Sequence, residues 1–402
     1  MRAADIRGTA AMRTADPSKI GRHFGHHADG FQQAVSGNRW RALRAQHARM
    51  DGLVPAPGRT HEDKGPVSGR GQHASRTWGA DGGAVGPIGG GEPFGGPDFN
   101  RTVPQNGYAW WYVDALSDDG QNAITIIAFV GSVFSPYYAA ARRRGSSDPT
   151  DHCAVNVAVY RRRNGRWAMT ERPRAAVSRT ANALIIGKSI LSWDGKALLI
   201  RLDEISVPFP GRIRGTVRIV PTAITQNAFT LNENGNHCWW PISPCARVQV
   251  LLDSPRLRWQ GDGYFDMNWG DAPLEQGFTH WQWSRGTTFQ GTSIIYEAMR
   301  SDGSRANLAL SFDPQGKMLA FEAPPIFALP STGWRIDRSV RSDSPARVVR
   351  TLENAPFYAR SVVSATWLGE PVTLMHESLS LDRFRRPLVQ AMLPFRMPRA
   401  RK

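Results

Sequence analysis

The chain lacks the features that would mark it as membrane-spanning or secreted. Its 402 residues contain no run of about 18 apolar residues, so no transmembrane helix is predicted. The first residues, MRAADIRGTAAMRTADPSKIGRH, have no apolar core like that of a secretory signal, so we expect a cytoplasmic protein. Only three cysteines occur, Cys153, Cys238 and Cys245, and a cytoplasmic setting disfavours disulfides. Buried thiols are the favoured interpretation, with a metal site around His237 as the alternative.

Lysine is also scarce, because only six of the 50 basic residues are Lys and the rest are Arg. Such a skew is typical of a GC-rich bacterial genome and can arise without function. The formal net charge of +16 is nevertheless concentrated in residues 1–80 and in the last twenty residues. This distribution suits an anionic membrane surface or RNA. No RNA- or DNA-binding motif accompanies the charge, so we expect peripheral membrane contact and no nucleic-acid partner.

Residues 1–95 are interpreted as a low-order extension rich in Arg, His and Gly. Its end, AVGPIGGGEPFGGPDFN, is too rich in glycine for a helix or strand. No strand precedes this tract and no helix follows it, so it does not resemble a phosphate loop. No alternation of strands and helices is visible further on, which argues against a nucleotide-binding fold.

From about residue 105 the sequence is typical of strands. Apolar and β-branched runs are separated by turn signals such as Asn164-Gly165, at a spacing of 8–14 residues. The predicted strands are Gly107–Ala115, Ala123–Phe134, His152–Arg162, Arg166–Glu171, Asn182–Leu191, Ala197–Leu202, Arg214–Val220, Ala246–Leu252, Phe278–Ser284, Thr292–Arg300, Ala306–Phe312 and Met318–Phe321. An antiparallel meander of this length closes into barrels or sandwiches, so the predicted fold class is all-β.

Nine spaced, aromatic-rich motifs resemble the bacterial carotenoid 1,2-hydratases, the hydroxyneurosporene synthase family. They are GYAWWYVDALSDDG (107–120), IIAFVGSVFSPYY (126–138), HCAVNVAVY (152–160), RWAMTER (166–172), NHCWWPISPCARV (236–248), GDGYFDMNWGD (261–271), HWQWSR (280–285), HESLSLDRF (376–384) and LPFRMPR (393–399). The resemblance runs from about residue 95 to 400 without a missing block.

This resemblance implies two lipocalin-like β-barrel or sandwich domains, at residues 96–275 and 276–402. It also implies a hydro-lyase without a cofactor or metal. The enzyme would add water across the terminal 1,2 double bond of an acyclic carotene such as neurosporene or lycopene. We then expect a peripheral location at the inner, photosynthetic membrane, with the segment Arg383–Lys402 contributing charge and apolar side chains.

The reaction itself sets chemical requirements that the residues can be tested against. Water adds to a trialkyl alkene only after protonation to a tertiary carbocation. The site therefore needs a carboxylic acid kept protonated by burial, aromatic faces near the cation, a placed water with a base, and an apolar tunnel. The interior of a closed barrel is the expected container for the polyene.

Asp266 is the candidate acid, because it lies in a segment dense in aromatics and glycine and matches the carboxylate that the family uses. The alternative from local sequence is a turn cap. Asp262, inside Gly-Asp-Gly, is predicted to be a turn residue. Met267 follows Asp266 where many relatives carry His, which leaves the proton path open.

The resemblance further suggests His237, Trp239 and Tyr264 as catalytic partners of Asp266. His237 would take up a proton or orient the water, and the rings of Trp239 and Tyr264 would face the cation. The alternatives are a satisfied core histidine and ordinary core packing. Trp240 would point away from Trp239 if the segment is extended.

Substrate-binding candidates are Trp110, Tyr112, Phe134 and Tyr137. Trp110 and Tyr112 share one face of a predicted strand and would line the tunnel or pack in the core. Phe134 and Tyr137 would shape the tunnel mouth or touch lipid. The neighbours His376 and Glu377 face opposite sides of a strand and are interpreted as structural.

Two other classes of function remain open at this stage. A non-catalytic lipocalin-like carrier would bind the same apolar ligand but has no need of a buried acid. An isomerase or cyclase would use the same protonation while excluding water. The preferred carotene, the number of ends hydrated, the oligomeric state and the role of residues 1–95 do not follow from the sequence.

Overall fold

The computed structural model describes residues 84–85 and 95–400. The extension predicted for residues 1–95 therefore lies almost entirely outside the described residues. In the described part, antiparallel strands joined by short turns dominate, which confirms the predicted all-β class.

The first sheet holds thirteen strands. They are β1 (Ala84–Val85), β2 (Tyr108–Ser117), β3 (Ala123–Val130), β4 (Cys153–Tyr160), β5 (Arg166–Arg172), β6 (Val177–Thr180), β7 (Ala183–Ile186), β8 (Ser189–Trp193), β9 (Leu198–Ile205), β10 (Arg212–Pro221), β11 (Ala228–Thr230), β12 (His237–Ser254) and β13 (Leu257–Gly270). Their order is β5-β4-β3-β2-β13-β12-β10-β9-β8-β7-β6, with β11 pairing both β12 and β1.

The second sheet holds seven strands in the order β17-β16-β15-β14-β22-β21-β20, and β18 and β19 form a separate pair. Their bounds are β14 (Phe278–Thr288), β15 (Gly291–Arg300), β16 (Arg305–Phe312), β17 (Met318–Ala320), β18 (Ile326–Leu329), β19 (Arg338–Arg341), β20 (Arg347–Asn354), β21 (Tyr358–Trp367) and β22 (Glu370–Ser380). The division into domains at residues 275 and 276 stays a prediction.

Helical segments in the described residues are short. They are α1 (Pro136–Arg144), α2 (Leu274–Gly277), α3 (Leu381–Phe384), α4 (Pro387–Met392) and 3-10 turns at Pro149–Asp151, Arg174–Ala176 and Leu393–Phe395. In that same part of the chain, no helix combines the length and the apolar character needed to cross a bilayer.

The edge strand β5 of the first sheet returns to β9 near the other end of the strand order, so the sheet is a nearly closed barrel. The backbone N–H of Val207, just after β9, donates to the carbonyl of Trp167 on β5 over 2.9 Å. An ion pair of 2.6 Å joins Arg172 of β5 to Glu204 of β9. These contacts cover the edge of β5 and leave less unpaired backbone exposed.

The inside of this barrel is a filled core. Alternate residues of β2 point to opposite faces, so that Trp111 and Val113 lie inside with apolar side chains from the other strands. Trp110 and Tyr112 lie on the outer face, which packs against the second sheet. The barrel interior, expected to contain the substrate, is filled by large side chains, and two cavities lie between the two sheets instead.

Several local predictions differ from the structure. The strand expected at 182–191 divides into β7 and β8 at Gly187, whose φ of +64° favours glycine. The strand expected to reach Phe134 ends at Val130, because Ser135 caps α1 and Pro136 occupies its first turn. Asp262 is a residue of β13 and pairs with Arg247 at 2.5 Å, so it is not a turn residue.

Candidate active site

A buried carboxyl group lies at the interface between the two sheets. Asp266 is in the middle of β13, where it pairs with Tyr112 of β2, and only 4% of it is exposed. Tyr264 and Asn268 point to the same side because they are two positions away on the strand. Asp266 is therefore a strand residue facing the second sheet, and the turn-cap alternative does not apply.

The two oxygens of this carboxyl group have different environments. Oδ2 accepts hydrogen bonds from the hydroxyl of Tyr264 at 2.7 Å and from Nε1 of Trp239 at 2.9 Å. Oδ1 is buried and has no hydrogen-bond partner among the described residues. Burial raises the pKa of Asp266 to about 8, even though both hydrogen bonds lower it. The group is thus mostly protonated at neutral pH, and Oδ1 is the oxygen free to carry the proton.

A small chamber of about 40 Å³ adjoins Asp266. We call this cavity the acid chamber. Its lining comes from both sheets and consists of Trp110, Tyr112, Asp266, Asn268, Trp281, Trp283, Tyr296 and Glu377. Five of these eight side chains are aromatic, so a cation formed in the chamber would meet several ring faces.

A larger cavity of about 110 Å³ shares four lining residues with the acid chamber, namely Trp110, Tyr112, Trp281 and Glu377. Most of its wall is apolar, including Phe134, Ile127 and Met169. The outer wall comes from the C-terminal segment Leu393–Met397. Just after it, the carbonyl of Pro398 accepts from the N–H of Glu171 on β5, and the N–H of Ala400 donates to the carbonyl of Glu171. We call this space the apolar cavity.

The predicted substrate-binding residues are only partly brought together. Trp110 and Tyr112 line both cavities, and Phe134 lines the apolar cavity. Tyr137 lies in the first turn of α1, half-buried, and lines neither cavity. Because α1 begins at Pro136, Tyr137 is a helical residue and does not continue strand β3.

Trp239 and Tyr264 contact Asp266 through their polar edges. Neither residue lines the acid chamber or the apolar cavity. The expectation that their rings face the cation therefore differs from the structure, in which their N–H and O–H groups hold the carboxyl. Trp281 and Trp283 of β14, which the sequence analysis did not single out, provide ring surface in the chamber instead.

His237 is buried but lines neither cavity. Its Nδ1 lies 2.9 Å from the hydroxyl of Tyr108, whose ring stacks on Trp110 at a centroid distance of 4.9 Å. Burial lowers the pKa of His237 to about 4, so the imidazole is neutral at pH 7. A Cβ at Gly277 would lie 2.6 Å from Nε2, so only glycine leaves room for this ring. This environment matches the alternative of a satisfied core histidine.

Met267 and Trp240 point into the barrel core, opposite to Asp266 and Trp239. The side chain after Asp266 thus faces away from both cavities. The predicted opposition of Trp240 and Trp239 is confirmed.

A buried network of charges borders the chamber and was missed by the sequence analysis. Asp114 of β2 pairs with Arg285 of β14, and Glu377 of β22 pairs with Arg360 of β21. Arg360 also lies 3.9 Å from Asp114 and donates to the hydroxyl of Tyr112 at 2.7 Å. Two guanidinium groups thus pair with two carboxyl groups, whereas Asp266 forms no ion pair with any of the described residues.

Glu377 was interpreted as structural together with His376, yet only His376 is confined to the core. His376 hydrogen-bonds with Ser284 and Ser378 on the other face of the second sheet. Glu377 faces the barrel and lines both cavities. The opposite orientation of the two neighbours was predicted correctly.

The described residues include no group of three His, Cys, Asp or Glu side chains arranged to hold a metal ion. All three cysteines are free, and Cys153 and Cys238 are buried, as the thiol interpretation expects. Burial raises the pKa of Cys153 to about 12 and that of Cys238 to about 11, so both are neutral thiols.

The fold and the site together define an all-β protein that can hold an apolar molecule against a buried, protonated carboxylic acid. The family model "Carotenoid hydratase CrtC" matches residues 126–402, more than half of the chain. The chain belongs to this carotenoid hydratase family, as its motifs predicted, and its enzyme class is that of a hydro-lyase.

Three relatives named acyclic carotenoid 1,2-hydratase match most of their own length. The protein of Thiocapsa roseopersicina is 49% identical over 402 residues, 99% of both chains. That of Rubrivivax gelatinosus is 46% identical over 406 residues, 99% of this chain and 100% of the relative. That of Cereibacter sphaeroides is 39% identical over 277 residues, 68% of this chain and 98% of the relative.

Among solved structures, one described as an AttH protein from Nitrosomonas europaea aligns with a TM-score of 0.49 at 14% identity. The alignment covers 74% of this chain and 99% of that chain.

Proposed function

We propose that this protein adds water across the terminal 1,2 double bond of an acyclic carotene such as lycopene or neurosporene. The observation that carries the proposal is the protonated, partly unpartnered carboxyl of Asp266 beside an apolar cavity. The names of the similar relatives supply the substrate class. The product is a 1-hydroxy carotenoid, and acid and base groups of the chain carry out the reaction.

The end of the carotene enters through the apolar cavity. Its walls of Phe134, Met169, Phe357 and other apolar side chains exclude water from the polyene. A cavity of about 110 Å³ accommodates the chain end, while the rest of the polyene extends past the segment Leu393–Met397. Trp110 and Tyr112, which line both cavities, guide the terminal alkene to the acid chamber.

Asp266 donates its proton from Oδ1 to C2 of the alkene, and a tertiary cation forms at C1. Because the carboxyl is held neutral by burial, it can act as a general acid at neutral pH. Tyr264 and Trp239 are positioning residues whose hydrogen bonds to Oδ2 stabilise the carboxylate that the step leaves behind. The rings of Trp281, Trp283 and Tyr112 stabilise the cation.

Water then bonds to C1, loses a proton and leaves the tertiary alcohol. The capture of the cation by water distinguishes a hydratase from the two other enzyme classes. In an isomerase the cation would lose a proton, and in a cyclase another alkene would attack it. Polar groups in the chamber favour hydration, because Asn268, Tyr296 and Glu377 can hold a water there. A non-catalytic carrier has no use for a desolvated acid, so the buried Asp266 argues against that class.

We also propose that the protein docks on an anionic bilayer through its C-terminal segment. Leu388 and Phe395 are 74% and 81% exposed, and Arg386 and Arg396 are on the same segment. Exposed apolar side chains beside Arg fit the acyl and anionic headgroup layers of a membrane. Because the same segment walls the apolar cavity, docking would place the cavity near a membrane-dissolved carotene.

Vesicle sedimentation tests this docking. Phosphatidylglycerol vesicles should bind the protein, and the double change Leu388→Ser with Phe395→Ser should weaken binding at least about tenfold. Phe209→Ser is the matched control, because Phe209 is 85% exposed on a loop of the first sheet. Equal loss in the control, or no loss in the double variant, contradicts the assigned surface.

Purified protein supplied with detergent-solubilised lycopene tests the activity itself. We expect 1-hydroxy and 1,1′-dihydroxy products by chromatography and mass spectrometry. Binding of lycopene without turnover would support the carrier, and isomerised or cyclised hydrocarbon without added oxygen would support the third class.

A further inference from the structure

We propose that Glu377 is the base of the reaction and takes the proton from the water that captures the cation. The inference rests on the proposed hydration and adds a second catalytic residue to it. The family resemblance suggested His237 for this step, but His237 lines neither cavity.

The geometry places the two carboxyl groups in one chamber. Asp266 reaches the acid chamber from β13 of the first sheet, and Glu377 reaches it from β22 of the second. An alkene end held between them would thus have an acid and a base contributed by different sheets. That arrangement suits addition, in which C2 gains a proton and the water on C1 loses one.

The charges divide the two roles between the carboxyl groups. Arg360 is fully buried, and its nearest carboxylate is Glu377, whose Oε1 also accepts a hydrogen bond from Tyr112 at 2.9 Å. Burial raises the pKa of Glu377, whereas the Arg360 guanidinium beside it and the hydrogen bond from Tyr112 lower that pKa. A buried guanidinium requires a counterion, which favours the carboxylate form of Glu377. Asp266 has no cation beside it among the described residues, and burial raises its pKa to about 8, so we assign Asp266 as the acid and Glu377 as the base.

Other candidate bases are less well placed. Asp114 is completely buried, engaged by Arg285, and lines neither cavity. Tyr296 lines the chamber, but burial raises its pKa well above the ordinary value, so it is a neutral phenol. The indole N–H of Trp283 has no acceptor among the described residues and is available to hold the water, but it is not a base.

The proposed reaction conserves atoms, electrons and protons. Asp266 gives its proton to C2 and becomes a carboxylate, while the π electrons of the alkene form the new C2–H bond. A lone pair of water forms the C1–O bond, and the oxonium passes one proton to Glu377. Transfer of that proton from Glu377 back to Asp266, through water in the chamber, restores the starting state, so one water is consumed for each alcohol formed.

Hydration of lycopene by Glu377→Gln in deuterium oxide tests this role. We expect hydration to fall by about a hundredfold or more, as for loss of a general base. Protonation by Asp266 remains possible, so the cation should form and return a proton to the Asp266 carboxylate. Recovered lycopene should therefore carry deuterium at C2. This exchange without hydration is a signature that a merely structural defect would not produce.

Two further variants make the result decisive. Glu377→Gln leaves Arg360 without its counterion, so the double variant Glu377→Gln with Arg360→Gln, which removes both charges, is measured alongside it. Glu297→Gln is the matched control, because Glu297 pairs with Arg341 at 2.7 Å on the same sheet and lines neither cavity. It should hydrate lycopene at close to the wild-type rate.

The outcomes separate this inference from the proposed function. Hydration within about threefold of wild type in either Glu377 variant overturns the inference while the function stands. Loss of both hydration and exchange in a folded Glu377→Gln protein also overturns it, because Glu377 would then act at the protonation step. Failure of the wild-type protein to hydrate any acyclic carotene overturns the proposed function instead.

Discussion

The hydroxyl of Tyr264 donates a 2.7 Å hydrogen bond to Oδ2 of Asp266, two positions later on the same strand. The strand alternation alone brings the two side chains to one face. This bond, with that from Trp239, reserves Oδ2 as an acceptor and leaves Oδ1 as the position for the proton.

The rate of hydration should fall as the pH rises through about 8, because only protonated Asp266 can act. Since the bond from Tyr264 lowers the pKa of Asp266, Tyr264→Phe should move this decline to higher pH. The plateau rate should fall by roughly 10- to 100-fold, since a hydrogen bond to a charged group is worth about 1.5–3 kcal/mol. Tyr138→Phe, which removes a bond to the carbonyl of Gly107 outside both cavities, is the control. An unmoved pH profile for Tyr264→Phe would contradict the account.

Trp239→Phe should lower the hydration rate for the same reason as Tyr264→Phe, because each variant removes one hydrogen bond to Asp266. The change removes the 2.9 Å hydrogen bond to Asp266 but keeps a ring beside Phe229 and Tyr296. If Trp239 acts through its N–H, kcat should fall by about tenfold or more and KM should change little. If its ring stabilised the cation, Phe would retain most of the activity, and that result would favour the original expectation.

His237→Ala should cost less activity than loss of the acid. The variant removes the hydrogen-bond partner of the Tyr108 hydroxyl. The ring of Tyr108 stacks on Trp110, and Trp110 lines both cavities. We expect a loss of about 1–3 kcal/mol in the free energy of unfolding and a raised KM. Tyr108→Phe should reproduce the raised KM. A fall in kcat as large as that of an Asp266 variant, with KM unchanged, would place His237 in the proton transfer.

Removal of residues 1–80 should leave most of the activity on detergent-solubilised lycopene. Residues 95–400 belong to one compact unit, and the relative from Cereibacter sphaeroides has no counterpart for about a third of this chain. The shortened protein is compared with the full chain by thermal unfolding and turnover. A folded but inactive product would assign the extension a role in catalysis or in substrate delivery.

Much of the strand pattern was predictable because apolar alternation and hairpin turns are local signals. The segment that became β13 was missed, since Gly261 and Gly263 suggested turns. In the structure these glycines allow close contact between strands: a Cβ on Gly263 would lie 2.2 Å from Cγ2 of Val248. Strands β20 and β21 were also missed, because polar residues interrupt their apolar positions, and β22 was expected only around His376 and Glu377.

Asp266 was found through its motif, whereas the buried charge network was not. Asp114 and Arg285 are 171 positions apart, so only the packing of the two sheets brings them together. In the sequence, Arg360 and Glu377 each resemble an ordinary solvent-facing residue of a strand. Their burial depends on the second sheet covering the barrel, which no local pattern specifies.

The incorporation of deuterium by Asp266→Asn tests the central claim most directly. In deuterium oxide the wild-type protein should hydrate lycopene and place one deuterium at C2. Asp266→Asn, shown to be folded by its unfolding transition, should lose hydration by about ten-thousandfold or more and leave recovered lycopene free of deuterium. If folded Asp266→Asn protein hydrates lycopene at close to the wild-type rate with deuterium at C2, Asp266 is not the acid.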